Sequence, residues 1–286
     1  MCRVVELKQS VLARNDGCAL ALRTELAARG TVVVNLLSSP GSGKTELLER
    51  ELTLARERGV PVAALTADLA TEHDAARLAR SGVPVKQVLT DGLCHLEAQM
   101  LHGHLDGWLP AETRLLFVEN VGNLVCPASY DLGETLRVVL GSVTEGEDKP
   151  LKYPTAYGLA NLVVVTKTDL AAAVGFDEAA FRANVARVNP GVEVVLTSAR
   201  QGAGVGTLLG RALAALEGGP VHRPVMARPA PHGHEGEGGD QATEHGHAHA
   251  HGDQHDHEHG QQHERGHGHG PQEHLGRHDH PAASVR

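Results

Sequence analysis

The stretch Thr31-Val-Val-Val-Asn-Leu-Leu-Ser38-Ser-Pro-Gly-Ser-Gly-Lys44-Thr45 decides the fold of this 286-residue chain. A short apolar run leads into a glycine-rich turn, and a Lys-Thr pair opens a segment typical of a helix. A strand, a tight loop and a helix in this order are the context in which such a motif binds phosphate. Ser38 stands where the usual pattern has its first glycine. The stretch therefore predicts a phosphate-binding loop between a buried strand and a helix.

Each position of this loop has an expected role in nucleotide binding. Gly41, Ser42 and Gly43 are predicted to point backbone N–H groups at phosphate oxygens, helped by the partial positive charge of the helix N-terminus. Lys44 is predicted to pair with the β- and γ-phosphates, and Thr45 to ligate Mg²⁺.

Strands and helices are predicted to alternate on both sides of this loop. The predicted strands span residues 31–37, 61–67, 85–89, 114–119, 137–143, 162–166 and 192–197. The predicted helices span residues 7–29, 44–58, 71–79, 94–104, 177–188 and 205–217. This alternation indicates an α/β fold of the P-loop NTPase type, a mostly parallel sheet with helices on both faces.

Composition narrows the class of protein. The net charge of −9 argues against a nucleic-acid-binding surface. Four cysteines are too few for a disulfide scaffold, and neither a secretory signal nor a membrane-spanning apolar run is recognised. We expect a cytoplasmic chain with an N-terminal helical segment (residues 1–30), a nucleotide-binding domain (31–217) and a tail (218–286).

Two acidic residues follow predicted strands, as magnesium chemistry requires. Asp68 and Glu119 are expected at the carboxyl edge of the sheet, beside the phosphate-binding loop, where open α/β sheets bind ligands. Asp68 is assigned to Mg²⁺ or its waters and to orienting the attacking water, and Glu119 to the water shell of Mg²⁺. Gly122 is expected to offer its N–H to the γ-phosphate. Ordinary carboxylates at strand ends remain the alternative.

The segment Thr166-Lys167-Thr-Asp169 resembles the guanine-reading Asn-Lys-x-Asp of GTPases. The Asp169 carboxylate can accept hydrogen bonds from guanine N1–H and its 2-amino group, and adenine offers neither. The stem of Lys167 is expected along the plane of the base. Ser198 and Ala199 begin a loop that is expected to close over the base. The pattern predicts GTP rather than ATP as the substrate.

Cys94, His95 and Cys126 are candidate ligands for zinc or nickel, with Cys94 and His95 expected to open a helix. Buried cysteines without metal would explain the spacing equally well. Position favours metal, because Cys126 lies seven residues after Glu119 on the loop expected to sense the γ-phosphate.

The C-terminal segment is a histidine-rich tail. Of the 20 histidines in the chain, 16 lie at or after His222. Repeated His-x-His spacing in a segment with almost no apolar residues predicts a disordered binder of divalent metal. The predicted nickel or zinc ligands are His245, His247, His249, His251, His255, His257, His259, His267 and His269.

Several motifs together resemble the HypB family of hydrogenase nickel-incorporation GTPases, members of the SIMIBI class. The resemblance runs from about Val11 to Leu216. It rests on the phosphate-binding loop and on Asp68-Leu-Ala-Thr-Glu-His-Asp-Ala-Ala-Arg77, Cys94-His95-Leu, Glu119-Asn-Val-Gly-Asn-Leu-Val-Cys-Pro and Glu145-Gly-Glu-Asp-Lys-Pro-Leu-Lys-Tyr-Pro154.

The resemblance implies GTP hydrolysis with Mg²⁺, a nucleotide-dependent homodimer, and nickel delivery to the [NiFe]-hydrogenase large subunit alongside a HypA-type chaperone. It also implies a shared nickel or zinc site at Cys94, His95 and Cys126. An N-terminal Cys-x-x-Cys-Gly-Cys motif found in some members is reduced here to Cys2. The alternatives are a urease-maturation GTPase, expected to show Cys-Pro-His, and a nickel or zinc store.

Overall fold

The computed structural model describes residues 3–68, 73–90 and 92–227. The predicted histidine ligands from His245 onward lie outside these residues. Within them, strands form one sheet in the order β3-β2-β4-β1-β5-β6-β7, with every neighbouring pair parallel. The strands are β1 (Val32–Ser38), β2 (Val62–Asp68), β3 (Val85–Leu89), β4 (Leu115–Glu119), β5 (Leu136–Ser142), β6 (Leu162–Thr166) and β7 (Glu193–Leu196).

Helices cover both faces of the sheet, as the alternating pattern predicts. They are α1 (Arg3–Ala28), α2 (Lys44–Glu57), α3 (His73–Ala79), α4 (Ala98–Leu105), α5 (Lys149–Lys152), α6 (Pro154–Gly158), α7 (Ala171–Val174), α8 (Glu178–Val188) and α9 (Thr207–Leu216). The α/β fold predicted from the sequence is thus confirmed. Among the described residues, no helix is both long and apolar enough to cross a bilayer.

The central strands are mostly apolar because both faces of the sheet are covered. One face packs against α2 and α9 through residues such as Val34, Leu48 and Leu209, all essentially buried. The other face packs against α1 and α4 through residues such as Leu22 and Leu101. Because all strands run the same way, their carboxyl ends meet at one edge, which collects the predicted site residues.

One predicted helix begins later than expected. The prediction that Cys94 and His95 open a helix is wrong, because α4 starts at Ala98. A turn closed by the bond from the N–H of Leu93 to the carbonyl of Thr90 occupies the preceding residues. Cys94 and His95 therefore lie in the loop that precedes α4.

The domain extends past the boundary expected at residue 217. His222 Nε2 lies 2.8 Å from Asn189 Oδ1, and the His222 carbonyl accepts a 2.8 Å hydrogen bond from Asn161 Nδ2. Val221 packs against the main core. Residues 218–227, which sequence reasoning assigned to the tail, therefore contact the domain.

Candidate nucleotide and metal site

The phosphate-binding loop has the backbone that its glycines allow. Gly41 and Gly43 have φ of 73° and 89°, in the left-handed region that disfavours residues with a Cβ atom. Gly43 is the N-cap of α2 and adds no side-chain hydrogen bond there. The first N–H groups of α2 are therefore suited to bind an anion.

Lys44 and Thr45 both meet the carboxyl end of β4. The Lys44 ammonium donates a 2.7 Å hydrogen bond to the Asn120 carbonyl and lies 3.4 Å from Glu119 Oε1. The Thr45 hydroxyl donates a 2.6 Å hydrogen bond to the same Glu119 oxygen. The sequence prediction missed the role of Asn120, because a backbone carbonyl leaves no signature in the residue type.

The oxygen atoms at this edge fit a divalent cation. Glu119 is only 1% exposed, and its Oε2 has no hydrogen-bond partner among the described residues. The Ser42 hydroxyl is likewise buried without a partner in the part of the chain that the structure describes. Buried polar atoms normally have partners, and hard cations such as Mg²⁺ favour oxygen ligands. Glu119, Thr45 and Asp68 are thus suitable residues to hold Mg²⁺ or its waters.

Asp68 and Gly122 lie where the sequence predicts them. Asp68 is the last residue of β2, and Thr66 of the same strand is paired in register with Glu119. Gly122 follows β4 and lies against the phosphate-binding loop. A Cβ atom added to Gly122 would come within 3.2 Å of Pro40 Cα, so any larger residue would push the two loops apart.

A cavity of about 220 Å³ lies beside the phosphate-binding loop. Its lining residues are Gly43, Glu46, Leu47, Thr166, Lys167, Asp169, Leu170, Thr197, Ala199 and Arg200. Ser198 Oγ donates a 2.6 Å hydrogen bond to Asp169 Oδ1, which fixes the orientation of that carboxylate. The structure therefore brings the predicted base-reading residues together around one cavity. Glu46, Leu47 and Thr197 line it as well and were not predicted.

Thr166 and Lys167 tie the base-reading segment to the phosphate-binding loop. The Thr166 hydroxyl donates a 2.5 Å hydrogen bond to the Ser42 carbonyl. Lys167 Nζ donates a 2.6 Å bond to the Gly41 carbonyl, and the Lys167 backbone has a φ of 58°. The threonine that replaces the usual asparagine thus still links base pocket and phosphate loop through its hydroxyl.

Cys94 and Cys126 are adjacent, although 32 residues separate them in the sequence. Interaction with the Cys126 thiol, followed by burial, raises the pKa of Cys94 above its ordinary value. Asn123 Nδ2 donates a 3.4 Å hydrogen bond to the Cys94 carbonyl. The loop that follows Glu119 therefore carries Cys126 and also contacts the segment that carries Cys94.

His95 lies beside this thiol pair. Its Nδ1 is 3.8 Å from Cys94 Sγ, and its ring centroid is 3.9 Å from that of Tyr130. Burial lowers the pKa of His95, although the Glu97 carboxylate opposes the shift. His95 Nε2 is buried and lies 3.6 Å from Glu97 Oε1, too far for a hydrogen bond. A neutral imidazole is the form that binds metal.

The three predicted ligands are close together but are not arranged as a finished metal site. Among the described residues, no group of three or more His, Cys, Asp or Glu side chains has the geometry to hold a metal ion. The structure joins the two thiols and sets His95 next to them. The three side chains would have to move relative to one another to coordinate one ion.

Comparison with known proteins agrees with the fold and the loop chemistry. Residues 32–196 match the family model described as CobW/HypB/UreG, nucleotide-binding domain. The chain is 48% identical over 207 residues to the hydrogenase maturation factor HypB of Azotobacter vinelandii, covering 72% of this chain and 68% of that protein.

Two solved structures resemble the chain along most of their length. The crystal structure of HypB from Helicobacter pylori in complex with nickel has a TM-score of 0.67 and 36% identity, over 72% of this chain and 96% of that one. HypB from Archaeoglobus fulgidus has a TM-score of 0.66 and 36% identity, over 72% of this chain and all of that one. With its nucleotide loop and its paired thiols, the chain belongs to the CobW/HypB/UreG family and, within it, to the HypB proteins.

Proposed function

We propose that the protein is a GTP-hydrolysing nickel metallochaperone that assists nickel insertion into the large subunit of [NiFe]-hydrogenase. One observation carries the proposal: residues 119–126 contact Lys44 and Thr45 at one end and carry Cys126 at the other. A movement of Glu119 when the phosphates change can therefore reach Cys126 through seven residues of backbone. The names of the relatives, hydrogenase maturation factors and a nickel complex, support the same role.

Hydrolysis in this proposal depends on positioning and charge. The backbone N–H groups of Gly41, Ser42 and Gly43 hold phosphate oxygens, and Lys44 exchanges its bond to the Asn120 carbonyl for the β- and γ-phosphates. Mg²⁺, when bound, neutralises charge that develops on the phosphates. Asp68 and Glu119 hold the water molecules around the Mg²⁺ position, and Gly122 offers its N–H to the γ-phosphate.

Guanine is the proposed base because Asp169 lines the cavity and Ser198 fixes its carboxylate. The cavity is bounded by aliphatic and hydroxyl groups from Leu170, Thr197 and Ala199, which suit a flat ring. Adenine lacks the N1–H and 2-amino donors that this carboxylate accepts.

The proposed metal cargo is nickel, with zinc as a second metal of the same site. Cys94, His95 and Cys126 supply two soft sulfur ligands and one imidazole, and three ligands leave a position for water, for a partner protein or for a second copy of this chain. We extend the proposal to a nucleotide- or metal-dependent homodimer, a HypA-type partner, the hydrogenase large-subunit precursor and a cytoplasmic location.

Comparing the hydrolysis rates of GTP and ATP tests the proposal that the protein is a GTPase. Purified protein with Mg²⁺ is expected to hydrolyse GTP much faster than ATP, and Lys44→Ala is expected to abolish turnover. Lys152→Ala, at an exposed lysine that pairs with Asp148, is the control and is expected to keep it. Equal turnover of ATP and GTP by the unmodified protein would refute the guanine assignment.

A further inference from the structure

Two segments distant in sequence supply the thiol pair and its neighbouring histidine. The first segment, residues 94–97, leads into α4, and the second, residues 126–134, leads into β5. Their separation sets the distance between Cys94 and Cys126. A side chain that bonds to both segments would therefore control the geometry of the site.

Asn15, in the middle of α1, makes both bonds. Its Nδ2 donates a 2.8 Å hydrogen bond to the Asp131 carbonyl in the second segment. Its Oδ1 accepts a 2.9 Å hydrogen bond from the Ala98 N–H, just after the first segment. Asn15 is only 5% exposed, and a buried amide is costly unless its polar atoms are bonded. Both ends of this amide are used, one on the second segment and one on the first residue of α4, directly after the first segment.

The bond to Ala98 caps the N-terminus of α4, a role that a residue next to the helix usually performs. A helix N-terminus leaves N–H groups without partners, and the preceding residue often caps one of them with its side chain. Glu97, the N-cap residue of α4, makes no such bond. Asn15 supplies the missing acceptor from another helix, and so ties the start of α4 to α1 only three residues after His95.

The second segment is docked on the same helix at two further points. Arg23 Nη2 lies 2.7 Å from both carboxylate oxygens of Asp131. Gly133 approaches α1 so closely that a Cβ atom there would lie 2.7 Å from the Ala19 carbonyl oxygen. The position of the second segment relative to α1 is therefore fixed. Through its bond to Ala98, Asn15 also fixes the end of the first segment relative to α1.

From this arrangement we infer that Asn15 is a positioning residue for the Cys94–His95–Cys126 metal site. The inference rests on the metal site of the proposed function and adds that α1, which precedes the matched family segment 32–196, sets its geometry. Asn15 makes no bond to the phosphate-binding loop among its described contacts. Its effect is therefore expected on metal binding and not on nucleotide hydrolysis.

The test measures nickel bound to thiolate in the full chain. Thiolate-to-nickel charge-transfer absorption, measured with Cys2 and Cys18 replaced by serine in every sample, reports this site, because imidazole ligands of the tail do not produce that band. Asn15→Leu, which removes both bonds at similar size, is expected to weaken nickel binding roughly tenfold, as loss of groups that orient metal ligands does. GTP turnover by the same sample is expected to stay within about twofold of the unmodified protein. Asn15→Asp, which keeps an acceptor for Ala98, is expected to lose less affinity.

Controls separate this inference from the proposal beneath it. Thr24→Ala, an exposed change on the same helix, is expected to alter neither quantity. A normal charge-transfer band in Cys126→Ala would refute the metal site itself. Loss of the band in Cys126→Ala together with unchanged affinity in Asn15→Leu would overturn only the role of Asn15. Equal losses of turnover and nickel affinity would also overturn it, and if Asn15→Leu does not fold, Asn15→Asp decides by the same two readouts.

Discussion

At the scale of single residues, Glu119 connects two kinds of chemistry. Its Oε1 accepts from Thr45 and lies near Lys44, so it belongs to the phosphate side. The chain that follows it reaches Cys126 in seven residues and contacts the Cys94 carbonyl on the way through Asn123. In the proposed function, a shift of this carboxylate on binding of magnesium and nucleotide would therefore move the segment that holds one thiol.

Asp169 is the residue proposed to select the base. In Asp169→Asn, one acceptor oxygen becomes an amide donor, so GTP loses a charge-assisted hydrogen bond, and xanthosine triphosphate, with a 2-oxo group, gains one. We expect GTP affinity to fall roughly tenfold to a hundredfold and xanthosine triphosphate to be favoured in its place. Competition binding with both nucleotides measures the switch. Unchanged preference for GTP would mean that another group reads the base.

At the scale of elements, the loops at the carboxyl edge and helix α1 matter most. The sequence predicts most strands to within one or two residues, because each is an apolar run bounded by polar or turn residues. It also predicts that Lys44, Asp68, Glu119 and Asp169 meet at one edge, since parallel strands share a direction.

What the sequence misses are contacts between distant elements. The start of α4 at Ala98 depends on a cap from Asn15, 83 residues away, and local propensity contains no trace of it. The stacking of Tyr130 on His95 and the use of the Asn120 carbonyl by Lys44 are equally nonlocal. The helical assignment of Cys94 and His95 failed for this reason.

The docking of α1 has a pH dependence with a defined sign. Burial alone would raise the pKa of Asp131, but the hydrogen bond and charge of Arg23 and the N–H of Gly133 bring it below its ordinary value. A carboxyl with a lowered folded pKa stabilises the fold above its ordinary pKa of about 3.9 and loses that contribution as the pH falls through the folded value. Because Asp131 and Arg23 are each more than a third exposed, we expect less than about 1 kcal/mol.

Urea unfolding of the unmodified protein and of Asp131→Asn measures this contribution. The difference between their free energies of unfolding is expected to be larger near pH 7 than near pH 3. Asp106→Asn, at the exposed end of α4, is the matched control and is expected to show little difference at either pH. A difference that does not change with pH would show that the ion pair does not dock α1.

At the scale of the whole molecule, the proposal separates two kinds of metal binding. The domain holds a thiol pair tied to the nucleotide site, and the histidine tail is proposed to store several ions. Because residues 221–227 contact the domain, a chain that ends at Ala227 removes the tail with less disturbance than one that ends at Leu216.

Truncation after Ala227 is expected to remove most of the nickel capacity and leave GTP turnover nearly unchanged. In the full chain, the tail-dependent part of binding is expected to fade below about pH 6, because protonated imidazole does not bind metal. Nickel stoichiometry by equilibrium dialysis, measured for both chains across pH, tests this. The same stoichiometry with and without the tail would rule out storage there.

The central claim is that nucleotide state controls the metal held by Cys94 and Cys126. Its most direct test is nickel affinity of the chain ending at Ala227, measured with Mg²⁺ in the GDP form and with a non-hydrolysable GTP analogue, and repeated for Cys126→Ala. We expect affinities that differ at least about fivefold between the two forms, with the reciprocal effect of nickel on nucleotide affinity, and loss of both the site and the difference in Cys126→Ala. Equal nickel affinities in the two nucleotide forms would contradict the claim.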